Sequence, residues 1–209
     1  FEHLMFGATE THAQGVFDRM LEEEGAETNA ATFLDWTYYH TNLPKDALAL
    51  TLRLEADRMA KLVLNEAELT REKEVVINER KQRVEDDVEG SVNERLYKEA
   101  FHQHGYGWPT IGWMEDIVGM TAEDCHAFYR TYYAPNNARL VVVGDVDMGE
   151  LLAMVQREYG PMPSAEIPVE DVQPEPPQTE ERQVEMKKPT PTQKIAMGYR
   201  SPALGDFDH

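Results

Sequence analysis

Cysteine is nearly absent from this 209-residue chain: Cys125 stands alone, so neither an internal disulfide nor an all-cysteine metal site can form within it. It reads as a small buried residue of a helix. Positive charge is scarce as well, with 20 Lys and Arg against 39 Asp and Glu and a net charge of -19. Phosphate backbones are bound through clustered cations, so nucleic acid is not an expected partner. Long apolar runs are also missing. The longest, Leu140 to Val143, falls far short of the ~20 residues that span a bilayer, and the chain is expected to be soluble. It opens on Phe1 with neither an initiator methionine nor a signal-peptide pattern, which reads as an N-terminus lost together with any targeting signal.

What is present, 41% hydrophobic and 28% charged residues, is enough for one sizeable core or for one core and the beginning of another. Val16, Met20 and Leu21 recur at helical spacing between Thr11 and Glu24, with Gly25 as the stop. From Glu27 to Leu43 the residues become β-branched and aromatic, predicting two strands or a hairpin. A helix is predicted beyond Asp46 as its cap, with Leu48, Leu52, Met59 and Leu62 on the apolar face. Further helices are expected from Glu66 to about Val84, from Ser91 to Phe101, from Thr121 to Tyr133 and from Asp147 to Tyr159, the last stopped by Gly160.

Ala138 to Val146 reads as the clearest strand, and His102 to Pro109 as a loop. Nine of the twelve prolines fall between Pro161 and Pro202, and the stretch from Glu166 to Glu185 has the acidic composition of a linker. Gln193 to Tyr199 then alternates like the first strand of a new unit. The expected division is a domain over 1–160, a linker over 161–192 and an incomplete second domain over 193–209. Helices and strands without regular alternation argue for an α+β fold.

Adjacent Glu2 and His3 are a weak signal alone, since such pairs occur at many solvated chain ends. Their context gives them meaning. The opening FEHLMFGAT resembles the segment of the M16 peptidases (relatives of pitrilysin, insulinase and mitochondrial processing peptidase) that carries the inverted zinc motif H-x-x-E-H. Further strings follow in the family's order. Glu27 to Thr32 is similar to its Asn-Ala strand, Leu54 to Met59 to the helix after it, and Glu72 to Glu79 to the helix that supplies the third zinc ligand. Tyr106 to Gly112 and Tyr133 to Ala138, leading into Val143-Gly144-Asp145, complete the resemblance.

The resemblance implies a zinc-dependent endopeptidase with a largely antiparallel sheet and helices packed on one face. Glu2 would be the general base, and His3 and Glu79 zinc ligands. Glu72, seven residues before Glu79, is about 20° short of two turns and ~10 Å away along a helix, so it shares the face without sharing the metal. The resemblance makes it a supporting carboxylate; an ordinary solvated glutamate is the alternative. Asn29, Ala30 and Thr32 would line a cleft where an extended peptide adds to a sheet edge. Ordinary strand packing is the other reading. Trp36, Tyr38 and Tyr39 read more readily as packing aromatics than as substrate contacts.

The remaining histidines are less informative. His102 and His104 form a possible metal pair with no third ligand nearby, and His12, His40, His126 and His209 have no partner spacing that suggests a site. The pattern also has a gap, because the first histidine of H-x-x-E-H would stand two residues ahead of Phe1. This polypeptide is therefore expected to bind zinc poorly and to cleave little, with the parent being the peptidase. The resemblance further implies a second, similar half in the same chain or in a partner subunit of a dimer, and a bacterial cytoplasmic or periplasmic setting. The alternative function is a non-catalytic M16-like subunit that is structural or presents substrate; keeping Glu2, His3 and Glu79 together argues against it.

Overall fold

The computed structural model describes residues 1–203; residues 204–209, which include His209 and the end of the expected second domain, lie outside the described residues. The chain divides into two units, Phe1–Glu74 with Val118–Glu170, and Val75–Ile117 with the segment from Asp171 onward. The fold is α+β and helix-rich, with a two-stranded antiparallel sheet. Among the described residues no helix is long and apolar enough to cross a membrane.

The first unit begins with a 3-10 turn, Glu2–Phe6, that buries Leu4 and Met5 and leaves Glu2 and His3 partly exposed. Helix α1, Val16–Glu23, buries Phe17 and Leu21. It starts later than its apolar spacing predicts because residues 9–12 are held in a turn: Thr9 and Thr11 hydroxyls donate to Asp57, and His12 Nδ1 lies 3.0 Å from the same carboxylate. Gly15 and Gly25 take left-handed φ of 75°, flanking the helix where a Cβ would be strained. Strands β1, Glu27–Thr32, and β2, Thr37–Asn42, pair from Glu27 opposite Asn42 to Thr32 opposite Thr37, as the β-branched run predicts.

Helix α2, Leu48–Lys61, buries Thr51, Leu52, Leu54, Ala56 and Arg58. Asp46 does not cap it; that residue sits inside a 3-10 turn, Lys45–Ala47, and Ala47 occupies the cap without a side-chain bond. Its C-terminal end is closed by Tyr129, whose hydroxyl donates to Met59 O (2.6 Å) and accepts from Leu62 N (3.1 Å), satisfying groups a helix end leaves open. Burial pushes that phenol up to about 12.

Helix α3, Glu66–Arg80, runs through the boundary between the units and passes into a π-helical turn, Lys81–Glu85. Helix α4 is Val88–Ala100 and α5 Met114–Gly119. Helix α6, Ala122–Tyr132, has a full capping box between Thr121 and Asp124 and buries Cys125, as expected. Helix α7, Met148–Tyr159, is capped by Asp147, which accepts from Glu150 N at 2.9 Å.

Two apolar clusters hold this unit. One joins Leu4, Met5, Leu62, Leu64, Leu69 and Cys125; the other joins Phe17, Leu21, Ala26 and Leu54. Burying one such leucine stabilises by about 1.5–3 kcal/mol. Two expected strands are corrected. Residues 138–146 and 193–199 make no ladder among the described residues, and Val141, Val143 and Ile195 are 78%, 92% and 85% exposed. Alternation and β-branching suit a strand, but a strand exists only where a neighbour takes up its N–H and C=O groups.

In the second unit Arg80 is buried and bonded to Glu94 (2.8 Å) and to Gly112 O (2.8 Å), with the Trp113 ring 5.8 Å away. The 102–104 backbone forms a nest of three N–H groups, all accepted by the Glu175 carboxylate at 2.7–3.0 Å. His104 Nδ1 is taken up by Tyr106 N, so this histidine serves the loop's own turn.

Candidate functional site

The 3-10 turn brings Glu2 and His3 to the wall of a cavity of about 540 Å³, a volume within the range of ligand pockets. Leu4 and Met5 anchor that turn in the core, so the two polar side chains before them are set by apolar packing behind. Glu2 is oriented from the sheet, because the Thr32 hydroxyl donates to its Oε2. The His3 ring stands beside helix α3, with Nδ1 3.4 Å from Glu72 Oε2. Glu72, on the first turns of α3, lines the same cavity.

Asn29 lines the cavity from β1, and its Oδ1 accepts from Ala30 N at 2.8 Å. Ala30 is paired with Tyr39 across the ladder, and neither it nor Thr32 is among the lining residues; Thr32 reaches the cavity wall only by its bond to Glu2. Among the described residues β1 has a ladder partner on one side only, which leaves it a second edge. The aromatics of the hairpin divide between two environments. Trp36 is 65% and Tyr38 49% exposed, whereas Tyr39 is half-buried with its hydroxyl 2.8 Å from that of Tyr133. Burial, then the adjacent Tyr133 hydroxyl, pushes the Tyr39 phenol far up and keeps it protonated.

Glu79 lies on the second-unit part of α3, seven residues after Glu72, and Arg83 Nη1 lies 2.8 Å from its Oε1. Among the described residues no three His, Cys, Asp or Glu side chains are grouped as they would be to hold a metal ion. A hydrolytic zinc site takes three protein ligands and keeps one position for water. The donors here are chemically suited to zinc, but they do not make up a complete ligand set.

Two features were not legible in the residue spacing. One is the Thr9, Thr11, His12 and Asp57 cluster, in which burial opposes ionisation but hydrogen bonds from Thr11, Thr9, His12 and Lys61 prevail and hold the Asp57 carboxyl well below the usual range. The other is Arg58, 2% exposed between the rings of Phe6, Phe17 and Tyr39. A signal for Arg58 did exist: it stands four residues from both Leu54 and Leu62, on the buried stripe of α2.

Comparison with known proteins gives this site a lineage. Residues 1–112 match the family model described as Insulinase (Peptidase family M16), and residues 119–209 the one described as Peptidase M16 inactive domain. Zinc protease PqqE of Helicobacter pylori is 32% identical over 213 residues, spanning 99% of this chain and 47% of that protein. The chain thus covers about half that relative's length. The crystal structure of a protease from Helicobacter pylori superposes with a TM-score of 0.80 at 32% identity over 84% of this chain and 42% of that one. The first half of the periplasmic protease PqqL from Escherichia coli gives 0.74 at 23% identity over 84% and 39%, a likeness of fold alone. With more than half its residues matched by the insulinase model, and with the motif strings in the family's order, the chain belongs to peptidase family M16.

Proposed function

We propose that this chain is the N-terminal catalytic part of a zinc-dependent endopeptidase that hydrolyses extended peptide or protein segments. Glu2 is the general base, His3 and Glu79 are metal ligands, and Glu72 supports His3. One observation carries the reading: Glu2 and His3, neighbours on a single turn, open on the same cavity that Asn29 of β1 lines. In that arrangement an extended peptide laid along the second edge of β1 brings its backbone beside a carboxylate that can hold a proton.

Thr32 takes one side of that carboxylate by donating to Oε2, and leaves the other oxygen to work. Zinc, when bound, lowers the pKa of its water toward neutrality and polarises a carbonyl. Two ligands do not make such a site, so the polypeptide of residues 1–209 is expected to bind zinc weakly and to turn over little substrate. Asn29, Ala30 and Thr32 form the substrate-facing strand. Residues 1–160 constitute the catalytic domain, 161–192 the linker and 193–209 the start of a following domain. The partner half, in the same chain or in a second subunit of a dimer, closes over the substrate. A bacterial cytoplasmic or periplasmic setting accords with this reading.

The test is a zinc titration with a peptide-cleavage assay on two polypeptides, residues 1–209 and the same chain continued upstream through a histidine two residues ahead of Phe1. Tight zinc binding and cleavage in the longer chain, with weak binding and little cleavage in the shorter, is the expected result. Full activity in the shorter chain would overturn the ligand assignment. Absence of metal-dependent cleavage in the longer one would favour the structural or substrate-presenting subunit.

A further inference from the structure

Five carboxylates line the cavity, those of Glu2, Asp18, Glu22, Glu27 and Glu72, so negative charge does not single out a base. Asp18 and Glu22 stand four residues apart on α1 and oppose one another as like charges. Orientation is what distinguishes Glu2. Its carboxylate takes a bond from the Thr32 hydroxyl, and the turn that carries it is gripped at both ends by aromatic rings.

The Phe1 ring, which precedes the turn, has its centre 4.8 Å from that of Tyr133, 5.2 Å from Phe128 and 6.1 Å from Tyr129, all on α6 or at its end. Phe6, the last residue of the turn, lies 6.3 Å from the Tyr39 ring of β2. At these separations aromatic pairs attract. The two gripping tyrosines are themselves joined, hydroxyl to hydroxyl, at 2.8 Å. A link thus runs from Phe1 through Tyr133 and Tyr39 to Phe6, and it closes a loop around the Glu2–Phe6 turn.

The same pair reaches Glu2 by a second route. The ladder sets Thr32 opposite Thr37 and Ala30 opposite Tyr39, and side chains directly opposite share a face of the sheet. The Thr28 and Thr41 hydroxyls, 3.2 Å apart at the next pair on that face, show the same alternation. Thr37 gives the Tyr133 phenol a side-chain hydrogen bond. The residue that orients the Glu2 carboxylate therefore sits across the ladder from one that Tyr133 holds. Burial, opposed by the bonds from Tyr39 and Thr37, pushes the Tyr133 phenol upward, so the pair keeps its protons through the neutral range.

We propose that Tyr133, together with Tyr39, is a positioning residue for Glu2: the bonded pair fixes both ends of the turn and the strand residue opposite Thr32, and so aims the carboxylate into the cavity. The proposal rests on the reading of Glu2 as the general base and adds to it the residues that set its place. Neither tyrosine is among the residues lining the cavity, so each acts through Glu2 and not on a substrate held there. A reacting group displaced by about 1 Å can lose roughly 10²-fold in rate, which gives a clasp of this kind leverage on the chemistry from behind it.

Tyr133→Phe keeps the ring against Phe1 and removes the hydroxyl, but it strands the hydroxyl of Tyr39. Tyr39→Phe/Tyr133→Phe removes both and conserves shape, so it serves should the single variant unfold. In the upstream-extended chain, at a temperature where circular dichroism shows every variant folded, each is expected to lower kcat about tenfold with KM within about twofold. Made on Glu2→Gln, the same changes should alter the residual rate by less than about twofold, because the base they position is already gone. A second readout needs no cleavage. In residues 1–209, hydrogen exchange followed by mass spectrometry should quicken about threefold or more over residues 1–6 and 28–42 and stay unchanged over α7. Unchanged kcat, an effect confined to KM, an equal further loss on Glu2→Gln, or exchange that is unaltered or equally faster in α7 would each overturn the proposal. A parent chain that does not cleave would sink the peptidase reading and this one with it; a parent that cleaves, with Tyr133→Phe cleaving as well, would sink this one alone.

Discussion

Two neighbouring regions of the first unit handle charge in opposite ways. Around Arg58 a single cation is enclosed: its guanidinium carbon lies 4.6–5.2 Å from the ring centres of Phe17, Tyr39 and Phe6, and Glu55 takes it in a two-pronged bond. Its Nη1 has no hydrogen-bond partner among the described residues, so aromatic faces stand where an acceptor would. In the cavity beside it, five carboxylates line an open space and share no enclosed cation. The first region has its charge answered from within the fold, which stabilises. The second turns its charge onto open space with no enclosed counter-charge. Charge alone does not separate core from site; what separates them is whether the counter-charge is already there.

The strongest test of that contrast falls on the open side. In the upstream-extended chain Glu2→Gln is expected to lower kcat/KM by about 10²–10⁴-fold, the usual worth of a positioned base, while the melting temperature stays within error. Activity that survives, or a large fall in stability, would place Glu2 with the enclosed region instead. Arg58→Ala should do the opposite on the closed side. It removes the cation from three rings and strands Glu55, at a cost of about 3 kcal/mol measured by urea unfolding, somewhat below a fully buried pair because Glu55 is partly exposed.

Smaller effects sharpen the boundary between the regions. Thr32→Val deletes the hydroxyl that orients Glu2 and should reduce kcat about tenfold with little change in KM, read in the same cleavage assay. A KM change alone would make Thr32 a substrate contact.

Asp57 gives a pH signature to the closed side. Its carboxyl is depressed in the fold, so its stabilisation is complete above the unfolded value near ~4 and is lost as pH falls toward the folded one. Unfolding curves of Asp57→Asn should therefore lose part of the acid sensitivity seen in the parent below about pH 4. Asp18→Asn, which relieves a like-charge pair worth roughly 0.2–0.5 kcal/mol, should raise the melting temperature by about 2 °C at most at pH 7.

Much of the local structure was legible from the residues. The hairpin followed from β-branched and aromatic runs, α6 from Thr121 and Asp124 at capping distance, and α7 from Asp147 and Gly160. The start of α1 was not, because three side chains of the preceding turn are claimed by Asp57, 45 to 48 residues away. Nor was the unpaired state of residues 138–146, whose composition records a preference for extended backbone and says nothing about a neighbour. At the candidate site Glu2, His3 and Glu72 were readable from motif order, whereas Asp18 and Glu22 looked like any solvated face of an amphipathic helix.

The order of the residues alone determined the family strings and a net negative charge of -19. Only tertiary structure decided which carboxylates share a cavity and which cation is sealed among rings. Motifs are local and survive in one dimension, but the energy of a charge depends on what the fold places within a few ångströms of it, from positions the sequence keeps far apart.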